Sequence, residues 1–191
     1  MPIPFISDQT FDSKSEMSQI LELATYEACT FRGCSFAQMD LSDMRFMECT
    51  FEDCDLSGVT LTQTVFRECE FLRCKMLGLH FDDCDRFSTD WTFRHSQLDM
   101  CFFSGMSIPA TIFEHCSIKE ADFTDADLSQ ASFFQSDLSD SVFEGCNLEK
   151  CDFRETKGVR FDPEKNHLRK AKFSRDGLAG LLDKYSLDIS S

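Results

Sequence analysis

Eleven cysteines, four histidines and scattered adjacent carboxylates are the side chains of this 191-residue sequence whose chemistry goes beyond packing. Cysteines spaced CxxC would make a zinc or redox site, but no such pair is present. Instead Cys29/Cys34, Cys49/Cys54 and Cys69/Cys74 recur at a spacing of 20, which is architectural. His80, His95, His115 and His167 keep no fixed relation to Cys, Asp or Glu that would build a ligand set or a triad. Asp82 and Asp83 are neighbours on an expected exterior, with no sign of a cleft to raise one pKa for acid–base work. No glycine-rich phosphate loop occurs. These residues predict no enzyme, no metal and no cofactor.

The cysteines belong to a repeat. Large apolar residues fall every fifth position at Tyr26, Phe31, Phe36, Leu41, Phe46, Phe51, Leu56, Leu61, Phe66, Phe71, Met76 and Phe81. After a break between Cys84 and Trp91 the series resumes two residues out of register, from Phe93 and Leu98 through Leu148 to Phe153. Two residues before each centre lies a slender residue, and all the cysteines sit in that row. Neither a helix nor a strand has a five-residue period. Phe93, Phe113, Phe133, Phe153 and Phe173 show a longer period of 20, so four pentads make one coil and like side chains stack on successive coils. A free Cys in such a row packs as a small hydrophobe, and reduced thiols point to a reducing compartment.

Units such as ADFTD, ADLSQ, CTFED, CDLSG and CNLEK resemble the A(D/N)LXX unit of the pentapeptide-repeat family over about residues 24–173. The resemblance implies an all-β solenoid, a right-handed quadrilateral β-helix, here with a short C-terminal α-helix. One domain is expected over 1–191: a cap or irregular first coil at 1–23, coils at 24–85, the register break at 86–92, coils at 93–173, and a helix and tail at 174–191.

Nineteen basic against 34 acidic residues give a net charge of −15, which repels phosphate backbones and anionic lipid, so neither nucleic acid nor membrane is an expected partner. The opening MPIPFISDQTFDSKSE has no basic start followed by an apolar stretch, and a cytoplasmic protein is expected. In the first coils, charges 20 apart are complementary, as in Arg32 with Glu52 and Asp53 with Arg73. Between Ala110 and Glu149 the acids Glu114, Glu120, Asp122, Asp125, Asp127, Asp137, Asp140, Glu144 and Glu149 face a single base, Lys119. Two readings stand: a solvated face that keeps a rod from associating, or a partner-binding surface that imitates DNA. Seven coils at about 4.8 Å make a rod of about 34 Å, whose length of duplex carries about 20 phosphate charges.

Ser174 is placed to cap a helix over Arg175 to Lys184. Leu178, Leu181, Leu182 and Tyr185 give it an apolar face, continued by Leu187 and Ile189. The terminal AGLLDKYSLDIS resembles the tail by which Qnr-type quinolone-resistance proteins and related toxin-immunity proteins form dimers. That resemblance implies a homodimer through these six residues, and DNA gyrase or topoisomerase IV as partner, protected from quinolones or a topoisomerase-poisoning toxin. It departs from the Qnr pattern in lacking a clear long loop. A pentapeptide-repeat scaffold with an unrelated protein partner is the alternative.

Overall fold

A pentad with one large inward residue, one slender inward residue and three outward positions has to turn a corner every five residues. The computed structural model, which describes residues 3–12, 22–86 and 90–187, shows how. The residue two after most centres adopts left-handed backbone: φ is 63° at Gln38, 62° at Asp43, 55° at Asp53 and 58° at Asp125, whereas Asp83 closes a 3-10 turn instead. The chain winds as a parallel β-solenoid of about eight turns with a short helix at its C-terminal end.

Short strands lie on two of the four faces. On face 1, β1 (Phe5–Ser7), β3 (Thr25–Glu27), β5 (Arg45–Met47) and β7 (Val65–Arg67) form one parallel sheet. Face 2 carries β2 (Thr10–Asp12), β4 (Thr30–Arg32), β6 (Thr50–Glu52), β8 (Cys69–Leu72), β9 (Trp91–Arg94) and β10 (Ile112–Glu114), then β11 (Asp152–Phe153) paired with β12 (Lys172–Phe173). Faces 3 and 4 are held by single bridges such as Ser117↔Asp137 and Asp122↔Val142. The register break is absorbed within one coil, because β8 pairs β9 as Cys69↔Trp91 and Phe71↔Phe93, two residues beyond the usual offset.

That pairing joins two series that the sequence shows separately. Phe11, Phe31, Phe51, Phe71, Phe93, Phe113, Phe133, Phe153 and Phe173 form one unbroken column on face 2. Successive rings are 4.9–5.2 Å apart and nearly parallel. Before the break, Tyr26 and Phe46 on face 1 turn their edges onto Phe31 and Phe51. After it the edges come from face 4, with Phe103 on Phe113 at 5.8 Å and Phe123 on Phe133 at 5.8 Å. Trp91 stands at the changeover, 5.3 Å from Phe81 and 6.1 Å from Phe93, and its indole N–H donates to the Phe66 carbonyl at 2.7 Å.

The slender row does more than fill space. In most bridge-only pentads the centre carbonyl accepts a turn bond from three residues ahead, as Met39 N to Phe36 O at 2.8 Å. The centres of β1 to β10 lack that turn bond. From β1 to β10, each instead accepts from a slender-row side chain of the following coil. Thiols serve Ile6, Phe11, Tyr26, Phe31, Phe46, Phe51 and Phe93. The Trp91 indole serves Phe66, and hydroxyls serve Phe71 and Phe113. Cysteine at these positions is a small hydrophobe and a weak donor at once.

At the C-terminal end the helix spans Arg175–Leu181 and a further turn spans Asp183–Tyr185, both wound as 3-10 rather than the expected α. Gly177 and Gly180 explain this in part, since glycine weakens an α-helix interior. A methyl group at Gly180 would also strike the Val159 carbonyl, so glycine permits the close approach to the last coil. Ser174 does occupy the N-cap position but makes no side-chain cap bond; its hydroxyl accepts from the Glu155 amide at 2.7 Å. Phe11 lies in the face 2 column, whereas Glu16 and Leu21 lie outside the described residues.

Two outcomes are expected. Phe133 is fully buried between Phe113 and Phe153, so Phe133→Ala should cost about 3–5 kcal/mol; a melting temperature within a degree of wild type contradicts the assigned stack. All the cysteines are free and buried, and burial pushes Cys49, Cys101, Cys116 and Cys151 up to about 12. Native protein should resist a thiol reagent at neutral pH and react at eleven sites once denatured. The folded-state pKa is raised, so the stability these thiols contribute is complete below their unfolded pKa near 9 and is lost as pH rises toward 12. An alkaline melt with no loss over that window contradicts the burial.

Candidate functional site

Outward positions repeat once per coil, so a surface on this protein is a set of columns. Its charges must be read by column. The nine acids between Ala110 and Glu149 do not form one patch. Asp127 and Glu149 stand on face 1 and Glu114 on face 2. Asp137 and Glu120 with Asp140 stand on face 3, the latter two at its corner with face 4. Asp122, Asp125 and Glu144 stand on face 4.

Several of these acids have structural duties. Asp122 accepts from the Thr124 amide at 2.8 Å, Asp127 from Ser129 at 3.0 Å and Asp137 from Ser139 at 3.1 Å. These are the acidic residues of the A(D/N)LXX units, and Asn147 makes the same turn to Glu149 at 3.2 Å. Burial pushes Asp122 up, but the hydrogen bonds from Thr124 outweigh it and hold the carboxyl below its ordinary value. Glu114 pairs with Arg94 at 3.4 Å, Asp137 with Lys119 at 3.5 Å, Glu144 with Lys165 at 2.7 Å and Glu149 with Lys150 at 3.5 Å.

Face 2 is a ladder of complementary pairs. Arg32 meets Glu52 at 2.7 Å, and Arg73 meets both Glu52 at 2.6 Å and Asp53 at 2.7 Å. Arg94 meets Glu70 at 2.7 Å. Face 4 is different. From Asp40 to Glu144 its outward positions hold Asp40 and Asp43, then Asp82 and Asp83, then Asp122 and Asp125, and then Glu144, with no Lys or Arg in these pentads, whereas the last coil, 161–165, adds Asp162, Glu164 and Lys165. Arg86, from the register break, reaches it at Gly105 and Lys165 reaches it at Glu144. The three acid doublets occupy alternate coils, so they are about 10 Å apart, near the Debye length at 0.1 M salt. Like charges are spread out rather than stacked. Asp40, Asp43, Asp82 and Asp83 escape a linear reading of the sequence because the window of greatest acidity begins after them; counting by the coil period finds them.

The histidines make no ligand set. His95 and His115 stack on face 2 at 4.6 Å, and His80 stacks on Phe102 at 4.3 Å. Among the described residues no group of three His, Cys, Asp or Glu is placed to hold a metal ion, and no helix is long and apolar enough to cross a membrane.

The apolar residues of the C-terminal segment divide. Leu181 packs on the core and Leu182 is half-buried, while Leu178, Tyr185 and Leu187 are about half exposed. Tyr185 is anchored, its hydroxyl donating to Glu164 at 2.9 Å. Ile189 lies outside the described residues.

A rod of stacked parallel coils, without a cleft between domains and with its variation confined to outward columns, defines a repeat protein with extended binding faces. A family model for the pentapeptide repeat region matches residues 24–103 and 106–181, and the chain belongs to the pentapeptide-repeat family. No curated protein matches it in sequence. Among solved structures it is similar to trypsin-treated QnrB1, a plasmid-mediated fluoroquinolone resistance protein, with 18% identity, 98% of each chain covered and a TM-score of 0.52. It is also similar to HetL, a pentapeptide repeat protein involved in heterocyst differentiation regulation from the cyanobacterium Nostoc, with 15% identity, 88% of this chain and 84% of that one covered and a TM-score of 0.34. At these identities the likeness speaks for the fold alone.

Proposed function

We propose that this protein is non-catalytic and imitates DNA, binding DNA gyrase or topoisomerase IV and protecting it from quinolones or from a topoisomerase-poisoning toxin. The observation that carries the reading is face 4, where acid doublets recur along the rod and the pentads from Asp40 to Glu144 hold no Lys or Arg. Eight steps of the phenylalanine column at about 5 Å give a length near 40 Å, over which B-DNA carries about 24 phosphate charges. The net charge of −15 is of that order. A basic DNA-binding groove would therefore meet a surface of duplex-like size and sign, and occupying the groove displaces DNA by competition. The likeness in fold to QnrB1, a plasmid-mediated fluoroquinolone resistance protein, agrees with this reading.

The exposed Leu178, Tyr185 and Leu187 support a homodimer through the C-terminal end. Leu178→Asp, which places a charge in a dry contact, should convert a dimer to monomers by light scattering. An unchanged mass for wild type and variant removes the dimer.

Replacing Glu120, Asp122, Asp125 and Asp140 by their amides tests the charge imitation. Asn147 shows that an amide keeps the turn, so the coil should stay folded. Gyrase affinity of wild type should fall as salt rises, and the variant should bind more weakly with a shallower salt slope. Equal affinities and slopes sink charge imitation on these faces. No binding by wild type favours a scaffold with an unrelated protein partner.

A further inference from the structure

The central coil of face 4 breaks its polar pattern. Along the ladder position of that face stand Asp40, Thr60, His80, Phe102, Asp122 and Val142, bridged His80↔Phe102↔Asp122↔Val142. Phe102 is 36% exposed although it points away from the core, and Met100, at the corner two residues earlier, is 46% exposed. The corresponding ladder residues on face 3 are Gln97, Ser117 and Asp137, so the coil itself does not demand a ring at this position. The ring is held: His80 lies flat against it, 4.3 Å between centroids and 4° between planes, and His80 Nδ1 is 3.3 Å from the Asp82 carboxylate. The doublet Asp82 and Asp83 lies one coil to one side and Asp122 and Asp125 one coil to the other.

We infer that Phe102 is the anchor of a docking face for a basic protein surface, seating an arginine or lysine side chain of the partner over its ring between the two acid doublets. The inference rests on the topoisomerase reading for the identity of the partner, and deepens it by naming face 4 and its centre. Charge complementarity chooses the occupant. An exposed aromatic alone would accept any apolar group, but carboxylates on both sides disfavour an acidic or neutral one and favour a cation, which a ring face also attracts. A preordered aromatic inside a charged rim is the arrangement in which a few side chains carry most of the binding energy. Recognition then has two separable parts: long-range attraction by the acids, which depends on salt, and a short-range contact at Phe102, which does not.

The test compares purified gyrase binding by wild type, Phe102→Ser, Met100→Ser and Phe134→Ser at two salt concentrations, with a thermal melt to check folding. Phe134 is a half-buried aromatic on the opposite face 2 and serves as control. Phe102→Ser should bind about tenfold more weakly with the wild-type salt slope, because no charge is lost. Met100→Ser should weaken binding in the same direction, and it carries the test if the Phe102 variant melts early. Phe134→Ser should match wild type. Wild-type affinity in both face 4 variants overturns the anchor while leaving topoisomerase binding intact. A loss in Phe134→Ser equal to that in Phe102→Ser overturns the choice of face. No binding by wild type overturns the topoisomerase reading, and this docking partner with it.

Discussion

The column of phenylalanines on face 2 is the constraint on which the rest depends. Burying one such side chain contributes about 1.5–3 kcal/mol, while a non-glycine residue in left-handed backbone costs about 1–2 kcal/mol. Most pentads have one of each, as with Phe51 and Asp53, while glycine takes the corner at Gly33, Gly58, Gly78, Gly105 and Gly145. Burial at the centre therefore offsets the strain at its corner, and the slender row adds to it. Many narrow gains, repeated over about eight turns, hold the rod. Because the ring spacing of 4.9–5.2 Å matches the separation of neighbouring strands, one coil cannot slide on the next without unstacking the rings, and pitch and register are set together.

A fixed pitch makes the surface predictable. Residues one coil apart are neighbours about 5 Å away, so an ion pair such as Arg32–Glu52 forms by placement alone. The same rule penalises like charges: at 5 Å in bulk water the repulsion is about 0.8 kcal/mol, and at 10 Å about half that before screening. Face 2 avoids the cost by alternating sign. Face 4 limits it by setting the three acid doublets on alternate coils, and Glu144, one coil beyond the last doublet, is paired with Lys165. Solubility needs only net charge, whereas a face with little compensation on one side and a ladder of pairs on the opposite side is asymmetric, and asymmetry is what a directed partner requires.

The fold was almost wholly legible because a period of five leaves few alternatives. What escaped followed from the two-residue insertion. It split the phenylalanine series, so the continuity from Phe71 to Phe93 appears only in the strand pairing, and it hid the alignment of Asp82 and Asp83 with Asp122 and Asp125. Trp91 was visible as the sole tryptophan, but its place in the slender row, bridging the changeover between two aromatic edges, depends on packing that no periodicity encodes. The cysteines were read as core, which they are. Their bond to the strand-centre carbonyl was not readable, since it spans 23 residues and links two faces. The helix expected from Arg175 to Lys184 is 3-10 over Arg175–Leu181 and Asp183–Tyr185, and the close approach of Gly180 to the Val159 carbonyl is a contact between distant segments that no local pattern encodes.

The insertion also explains why the two halves of the rod differ in their surfaces. Before it the spine is buttressed from face 1 by Tyr26, Phe46 and Phe66, and face 4 is lined inside by Leu41 and Leu61. From Phe81, just before it, face 4 carries its own ring column, Phe81, Phe103, Phe123 and Phe143, at 4.7–4.9 Å. A face backed by stacked rings is stiffer than one backed by aliphatic side chains, because rings in a column have fewer rotamers to exchange. Phe102, Asp122 and Asp125 therefore sit on the stretch of face 4 that is backed by stacked rings. Ordering them on binding costs little entropy, and preorganisation of this kind raises affinity without any added contact. The aromatic core and the acidic exterior are thus linked: the shift of the ring edges from face 1 to face 4 places the firmest backing under the face with the least compensated charge.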